Sequence, residues 1–215
     1  DIAIAYGYEN FKPEIPKIDT IGYEDDFEKF KDIVADTLIG FGLIETNSYS
    51  LIGKKEQLEK MNIQSEVVDI KNSNEEYNSL RSWIIPGLLK TLSANKHNEY
   101  PQRIFEIGNC FGIAKSETNV EEYSRVGVLI CHSKADYTEA KQILDSLMNL
   151  LGLKYLIEEA MHESFIPGRC ARVSVNNKNV AYLGELHPEA ILNFNLDVPV
   201  VGFELNLTEL FEMIK

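Results

Sequence analysis

Arg103-Ile104-Phe105-Glu106-Ile107-Gly108-Asn109-Cys110-Phe111-Gly112-Ile113-Ala114 is the stretch on which the fold turns. Its β-branched and aromatic content, with Gly and Asn held to single positions, reads as a strand from Arg103 to Phe111. A polar loop, Lys115 to Glu122, follows. Then comes Val126 to Cys131, a continuous apolar run of the kind a buried strand carries. Further along, Ala171 to Val175 and Val180 to Leu186 flank Asn176-Asn177-Lys178-Asn179, a strong hairpin signal. Val200 to Leu205 predicts a last strand, and Glu45 to Leu51 and Val67 to Ile70 predict two more upstream.

Helical periodicity surrounds these strands. Phe27, Phe30, Ile33, Val34, Leu38 and Phe41 fall at intervals of three and four after Asp25, and Gly42 supplies a stop. Asp25 and Asp26 favour that helix start electrostatically. Lys54 to Met61 predicts a short charged helix. Pro86 stands at a first-turn position for a helix through Leu88, Leu89 and Leu92 to about Asn95. Thr138 to Leu151 places Ala140, Ile143, Leu144, Leu147 and Leu151 on one face, and a short helix starts at Pro188. Helices do not alternate regularly with parallel-type strands. The pattern therefore predicts an α+β fold, an antiparallel sheet flanked by helices. Residues 1–19, with Pro13, Pro16 and the aromatics Tyr6, Tyr8 and Phe11, read as the end of a preceding domain and an extended linker, and 20–215 as the main module.

Composition narrows the function. With 215 residues the chain suits one large domain, whose folded surface is expected near ~10,000 Å². Hydrophobic residues make up 44% and charged residues 26%, as in an ordinary soluble globular protein. No apolar run is long enough for a membrane span. The opening Asp1-Ile2-Ala3-Ile4-Ala5-Tyr6 has neither a basic n-region nor a cleavage site, so it is not read as a signal peptide. The net charge is −13, with 21 basic residues scattered among 34 acidic ones. Nonspecific grip on nucleic acid needs clustered Lys and Arg; an RNA-binding module is accordingly the weakest of the readings open here. Cys110, Cys131 and Cys170 are too far apart for a CxxC site, which predicts reduced thiols and a cytoplasmic protein.

Three segments, in order, are similar to the three motifs of class II aminoacyl-tRNA synthetases. Gly40-Phe41-Gly42-Leu43-Ile44-Glu45-Thr46-Asn47 resembles motif 1, with Asn47 in place of proline. The Arg103–Ala114 stretch resembles motif 2, keeping Phe111 but showing Gly112 for its arginine and Ala114 for its glutamate. Gly202-Phe203-Glu204-Leu205-Asn206-Leu207-Thr208-Glu209-Leu210 resembles motif 3. There Glu204 and Asn206 replace glycines, and Glu209 replaces the arginine. Other stretches look like one family in particular: Leu80-Arg81-Ser82-Trp83-Ile84-Ile85-Pro86-Gly87-Leu88-Leu89, Ile166-Pro167-Gly168-Arg169-Cys170-Ala171 and Leu183-Gly184-Glu185-Leu186-His187-Pro188-Glu189. Together with the opening ten residues, they resemble the C-terminal, catalytic-like part of the phenylalanyl-tRNA synthetase β subunit in its archaeal form.

The resemblance implies a class II-like sheet whose nucleotide site is lost. Amino-acid activation needs fixed cations against the charge on phosphorus, and losing one such donor costs roughly 3–4 kcal/mol in the barrier. It also implies an (αβ)2 heterotetramer in which the α subunit binds ATP, phenylalanine and the end of tRNA(Phe), while this module is catalytically silent and supports assembly. Magnesium belongs to the whole enzyme; Asp1 matches the last acidic position of its metal motif, the other ligands lying outside this sequence. A rival reading is a divergent ligase using Arg169, Arg172 or Lys178 in place of the missing cations.

Other polar residues have plainer readings. His187-Pro188-Glu189 reads as a turn and helix start. His162 with Cys170 supplies only two ligands, which do not make a metal site. Arg169 and Arg172 fit phosphate contacts or, better, salt bridges. Glu106 and Glu185, within strands, read as capping or ion-pair partners. The stripe from Phe27 to Phe41 is core, with one edge open to a partner subunit.

Overall fold

The computed structural model describes residues 1–17 and 21–214. The expected boundary between residues 19 and 20 lies outside the described residues. Seven strands form one sheet in the order β1-β4-β5-β9-β8-β7-β6: β1 Ile44–Glu45, β4 Gln102–Ile113, β5 Val120–Cys131, β9 Val200–Asn206, β8 Lys178–Leu186, β7 Phe165–Val175 and β6 Leu156–Glu159. Neighbours are antiparallel except β1, which runs parallel to β4, so the sheet is mixed rather than purely antiparallel.

The predicted strand Glu45 to Leu51 is two short pieces. Residues 47–50 leave the sheet, and β2 (Leu51–Ile52) pairs with β3 (Ser79–Leu80) in a separate ribbon. Val67 to Ile70 contributes only an isolated bridge from Asp69 to Ser79. Lys54 to Met61 splits into α3 (Lys54–Gln57) and a 3-10 turn over Glu59–Met61. The run 115–122 is shorter as a loop than expected, because β5 already begins at Val120 and pairs with Ile113.

The stronger signals map directly onto elements. Helix α2 spans Asp26–Gly40; the Asp25 carboxylate accepts the Phe27 N–H at its start. Gly42 follows with φ +79°, the left-handed geometry that stops a helix and favours glycine. Helix α4 covers Ile85–Ala94 and α5 Tyr137–Leu150. Asn176 and Asn177 both have positive φ, as a two-residue primed turn demands, and join β7 to β8. His187 caps α6 (Pro188–Asn193), its ring accepting the Glu189 N–H. The terminal helix α7 (Leu207–Ile214) and the short exposed α1 (Ile2–Tyr6) carry no sequence expectation above.

Strand periodicity of two divides the core. On one face of the sheet, α2, α5 and α7 pack over Phe105, Val126, Val128, Phe203 and Leu205. On the other, α4 and α6 cover Ile104, Leu129, Cys131, Cys170 and Val200. The second face is not apolar throughout. Toward one end it turns polar, and the candidate site lies there.

Candidate functional site

Register alone assembles the site. Glu106 on β4 pairs with Gly127 on β5, Gly127 with Glu204 on β9, Glu204 with Tyr182 on β8, and Tyr182 with Arg172 on β7. One row thus carries carboxylate, glycine, carboxylate, phenol and guanidinium across the sheet. The adjacent row holds Gly108, Arg125 and Asn206. Above them sits the start of α4, and between lies a cleft of about 350 Å³. Arg125, Arg172, Glu204, Asn206, Tyr182, His162, Trp83 and Ser82 are among its walls.

Glu204 decides the chemistry of this cleft. Its side chain projects from β9, whose Val201, Phe203 and Leu205 face the opposite core. One carboxylate oxygen accepts the backbone N–H groups of Ile84 and Ile85 at 2.8 and 3.2 Å. The other accepts from Arg125 at 3.0 Å. Ile84 stands at the N-cap of α4 without a capping side chain of its own, so Glu204 supplies the missing acceptor from across the fold. The open end of a helix and an arginine make an anion seat. Here the chain fills that seat with its own carboxylate. Burial lowers the Arg125 pKa and Glu204 raises it, and the net direction is up.

A second carboxylate is buried beside it. Arg81 and Glu106 form an ion pair with side chains 4% and 1% exposed. Arg81 Nε also donates to the Asn109 carbonyl at 2.8 Å, and Ser48 Oγ bridges, accepting from Arg81 and donating to Glu106 at 2.7 Å. Gly108 makes room for this guanidinium; a Cβ there would stand 2.0 Å from Arg81 Nη2. Every group in the network has a partner, the condition under which a buried ion pair is tolerated.

The positions singled out from the sequence part company. Glu204 and Asn206 line the cleft, whereas Gly112, Ala114 and Glu209 do not. Gly112 lies further along β4, against the Tyr123 ring, and Ala114 donates its N–H to Asn119 in the turn beyond. Glu209 is in the first turn of α7, where its N–H is accepted by Asn206, and its charge is felt by Tyr123. The cations of the rival reading do not converge either. Arg169 pairs with Glu185 at 2.5 Å beside a separate apolar groove, Lys178 is exposed at the hairpin, and Arg172 alone reaches the cleft.

His162 packs among rings, with centroids 5.7 Å from Trp83, 5.2 Å from Phe165 and 4.7 Å from Tyr182. Burial lowers its pKa, and Cys170 lies in the apolar core with its thiol pushed up to about 11 by burial. Asp1 is exposed at the N-cap of α1, with no side-chain capping bond. Among the described residues no group of three or more His, Cys, Asp or Glu could hold a metal. Glu106 and Glu185 are ion-pair partners, as their strand positions suggested.

The sequence reading missed Arg125, Arg81 and Trp83 as members of this site. Arg125 carried one usable signal, a lone cation directly before the all-apolar run from Val126. Its carboxylate partner is 79 residues away, which no local pattern reveals.

Comparison with known proteins follows the same line. Residues 12–207 match the family described as "Phenylalanyl tRNA synthetase beta chain CLM domain". The chain is 45% identical over 215 residues to "Phenylalanine--tRNA ligase beta subunit" of Pyrococcus abyssi, covering 99% of this chain and 39% of the relative. Similar relatives of the same name occur in Pyrococcus horikoshii, 44% identical over 98% of this chain and 38% of the relative, and in Methanococcus aeolicus, 41% identical over 96% and 39%. The chain therefore spans about two fifths of the length of the curated relatives it matches.

Proposed function

The chain belongs to the phenylalanyl-tRNA synthetase β chain CLM domain family, and from that membership we propose a noncatalytic structural module, one that pairs with a catalytic α subunit and so supports attachment of phenylalanine to tRNA(Phe). The observation that carries the proposal is Glu204 in the anion seat of α4. A triphosphate arriving there would find the N–H groups at the start of α4 and the Arg125 guanidinium already taken by a fixed carboxylate. Arg172 is the other guanidinium of the cleft wall. With the anion seat filled from within the chain, the residues present do not fit ATP.

The long antiparallel strands with helices on both faces support a class II-like frame, and the Gly40–Asn47 segment leads from α2 into edge strand β1 as a motif 1 element would. We read residues 1–19 as the end of a preceding domain with its linker, and 20–215 as the module. The family description names the CLM domain and no position along the β chain; the C-terminal placement that the resemblance implied is not supported by these matches. In this proposal ATP and magnesium serve the assembled enzyme, and Asp1 is at most a single ligand to a magnesium completed by residues outside this sequence. An (αβ)2 heterotetramer in the cytoplasm, engaging tRNA(Phe) as a whole, is part of the same reading. Among the described residues no helix is long and apolar enough to cross a membrane.

Two measurements test the proposal. Purified chain is expected to give no phenylalanine-dependent exchange of pyrophosphate into ATP, and co-expression with the α subunit is expected to give a stoichiometric complex. Exchange above the blank, or an α subunit that elutes alone, would overturn it.

A further inference from the structure

We propose that the cleft left beside Glu204 binds a small planar aromatic carboxylate, its carboxylate held by Arg172 and Arg125 and its ring lying against Trp83. This goes beyond the assembly role above and does not depend on it.

Charge comes first. Of the three charged walls, Glu204 is already satisfied by Arg125 and two backbone N–H groups. Arg172 has no ion pair among the described residues, though it faces the cleft and is partly buried. Arg125 gives one nitrogen to Glu204, and its Nε–H is buried without a hydrogen-bond partner while the side chain remains 30% exposed. Arg172 therefore brings the cleft a positive charge without an ion pair among the described residues, with Glu158 its cross-strand neighbour on β6 and the Glu163 charge acting on His162. A partly desolvated guanidinium without a counter-ion calls for an anion, and its planar fork matches a carboxylate.

Shape comes second. The Arg172 guanidinium lies 4.0 Å from the Tyr182 ring centroid, a stacked position that fixes its plane and leaves its donor edge for a ligand. Trp83, His162, Phe165 and Tyr182 make contiguous ring contacts along the cleft. Phe165 is buried and Arg172 covers Tyr182, which leaves Trp83 and His162 as the rings open to a flat apolar body. A cleft of about 350 Å³ is at the small end of ligand sites, which run roughly 300–1,000 Å³. One ring with one anionic group fits that space.

Trp83 is the single tryptophan of the chain and lines the cleft, so its emission reports occupancy. The test titrates the 215-residue chain with benzoate at constant ionic strength, beside inorganic phosphate (charge without a ring), benzyl alcohol (a ring without charge) and ATP. A saturable change with benzoate is expected, with binding at least about tenfold weaker for each of the other three. Arg172→Gln and Tyr182→Leu, verified as folded by circular dichroism, are each expected to weaken benzoate about tenfold, and Lys178→Gln to leave it unchanged. A non-saturable benzoate response overturns the proposal. So does equal binding of benzyl alcohol, phosphate or ATP, or full benzoate affinity in both cleft variants. None of these results bears on pyrophosphate exchange or α-subunit co-purification, so the two readings fail separately.

Discussion

At the scale of single residues, two carboxylates set the stability of the polar end of the sheet. Glu106 is sealed with Arg81, and replacing one member leaves the other charge buried and unpaired. Arg81→Ala is expected to cost about 3–5 kcal/mol in urea unfolding. The double change Arg81→Met with Glu106→Gln should cost clearly less than the sum of the two single changes, because no charge is stranded. Additive costs would show that the pair is not coupled. Glu204→Ala removes the acceptor of two helix-terminal N–H groups as well as the partner of Arg125. Arg125 is 30% exposed and can rehydrate in part, which puts the expected loss near the lower end, about 3 kcal/mol. A loss below about 1 kcal/mol would mean that α4 does not rely on this cap. Thiols add a pH signature. Burial raises Cys131 and Cys170 from 9.0 to about 11. The folded state therefore holds protons that the unfolded chain releases above pH 9. Stability is full below pH 9 and falls as pH rises toward 11, by at most about 2.7 kcal/mol per thiol. A urea midpoint that stays level from pH 8.5 to 11 would contradict this burial effect. The sequence flagged Glu204 only as a lost glycine. It could not show that the same side chain caps α4, because residues 84 and 204 meet only through the packing of α4 on the β5–β9 pair.

At the scale of elements, what was legible followed from local patterns with one strong period. Helix α2 shows an apolar spacing, an Asp cap and a Gly stop, and it runs where these place it. The β7–β8 hairpin is written in Asn176-Asn177, since asparagine tolerates positive φ better than most residues. Asn177→Gly is expected to keep or slightly raise the melting temperature, and Asn177→Val to cost about 1–2 kcal/mol. Equal stability of the two variants would refute the turn assignment. The failures have a shared cause. Glu45 to Leu51 has strand composition, yet after Thr46, which still donates to the Phe105 carbonyl, residues 47–50 are drawn away from the sheet: Ser48 reaches into the Arg81–Glu106 network, and the Ser50 carbonyl accepts the Arg81 N–H. Val67 to Ile70 is likewise held by bonds to Leu80 and Asn78 rather than by a ladder partner. In both places contacts to residues 78–81, beyond the reach of a local pattern, decide the path of the chain.

At the scale of the whole molecule, the distribution of apolar surface and the family membership lead to one prediction. Edge strand β1 is two residues long and pairs on one side only, with β4. Ile44 within it is 68% exposed and Ile39 near the end of α2 is 50% exposed, while Phe30, Val34 and Leu38 of the same helix are buried. Isolated exposed apolar residues are ordinary. These two flank Gly40–Leu43, and Ile44 lines a groove with Gly42 and Ile104. If this edge meets the α subunit, its side chains contribute to the complex and almost nothing to the lone fold. Ile44→Asp and Ile39→Asp are therefore expected to move the unfolding free energy of the isolated chain by less than about 0.5 kcal/mol, while sharply reducing recovery of the α subunit on co-purification. Leu38→Ala, one residue from Ile39 but facing inward, should do the reverse, costing about 2–5 kcal/mol of stability and sparing assembly wherever the chain stays folded. Normal recovery of the α subunit with both aspartate variants would move the interface away from this edge.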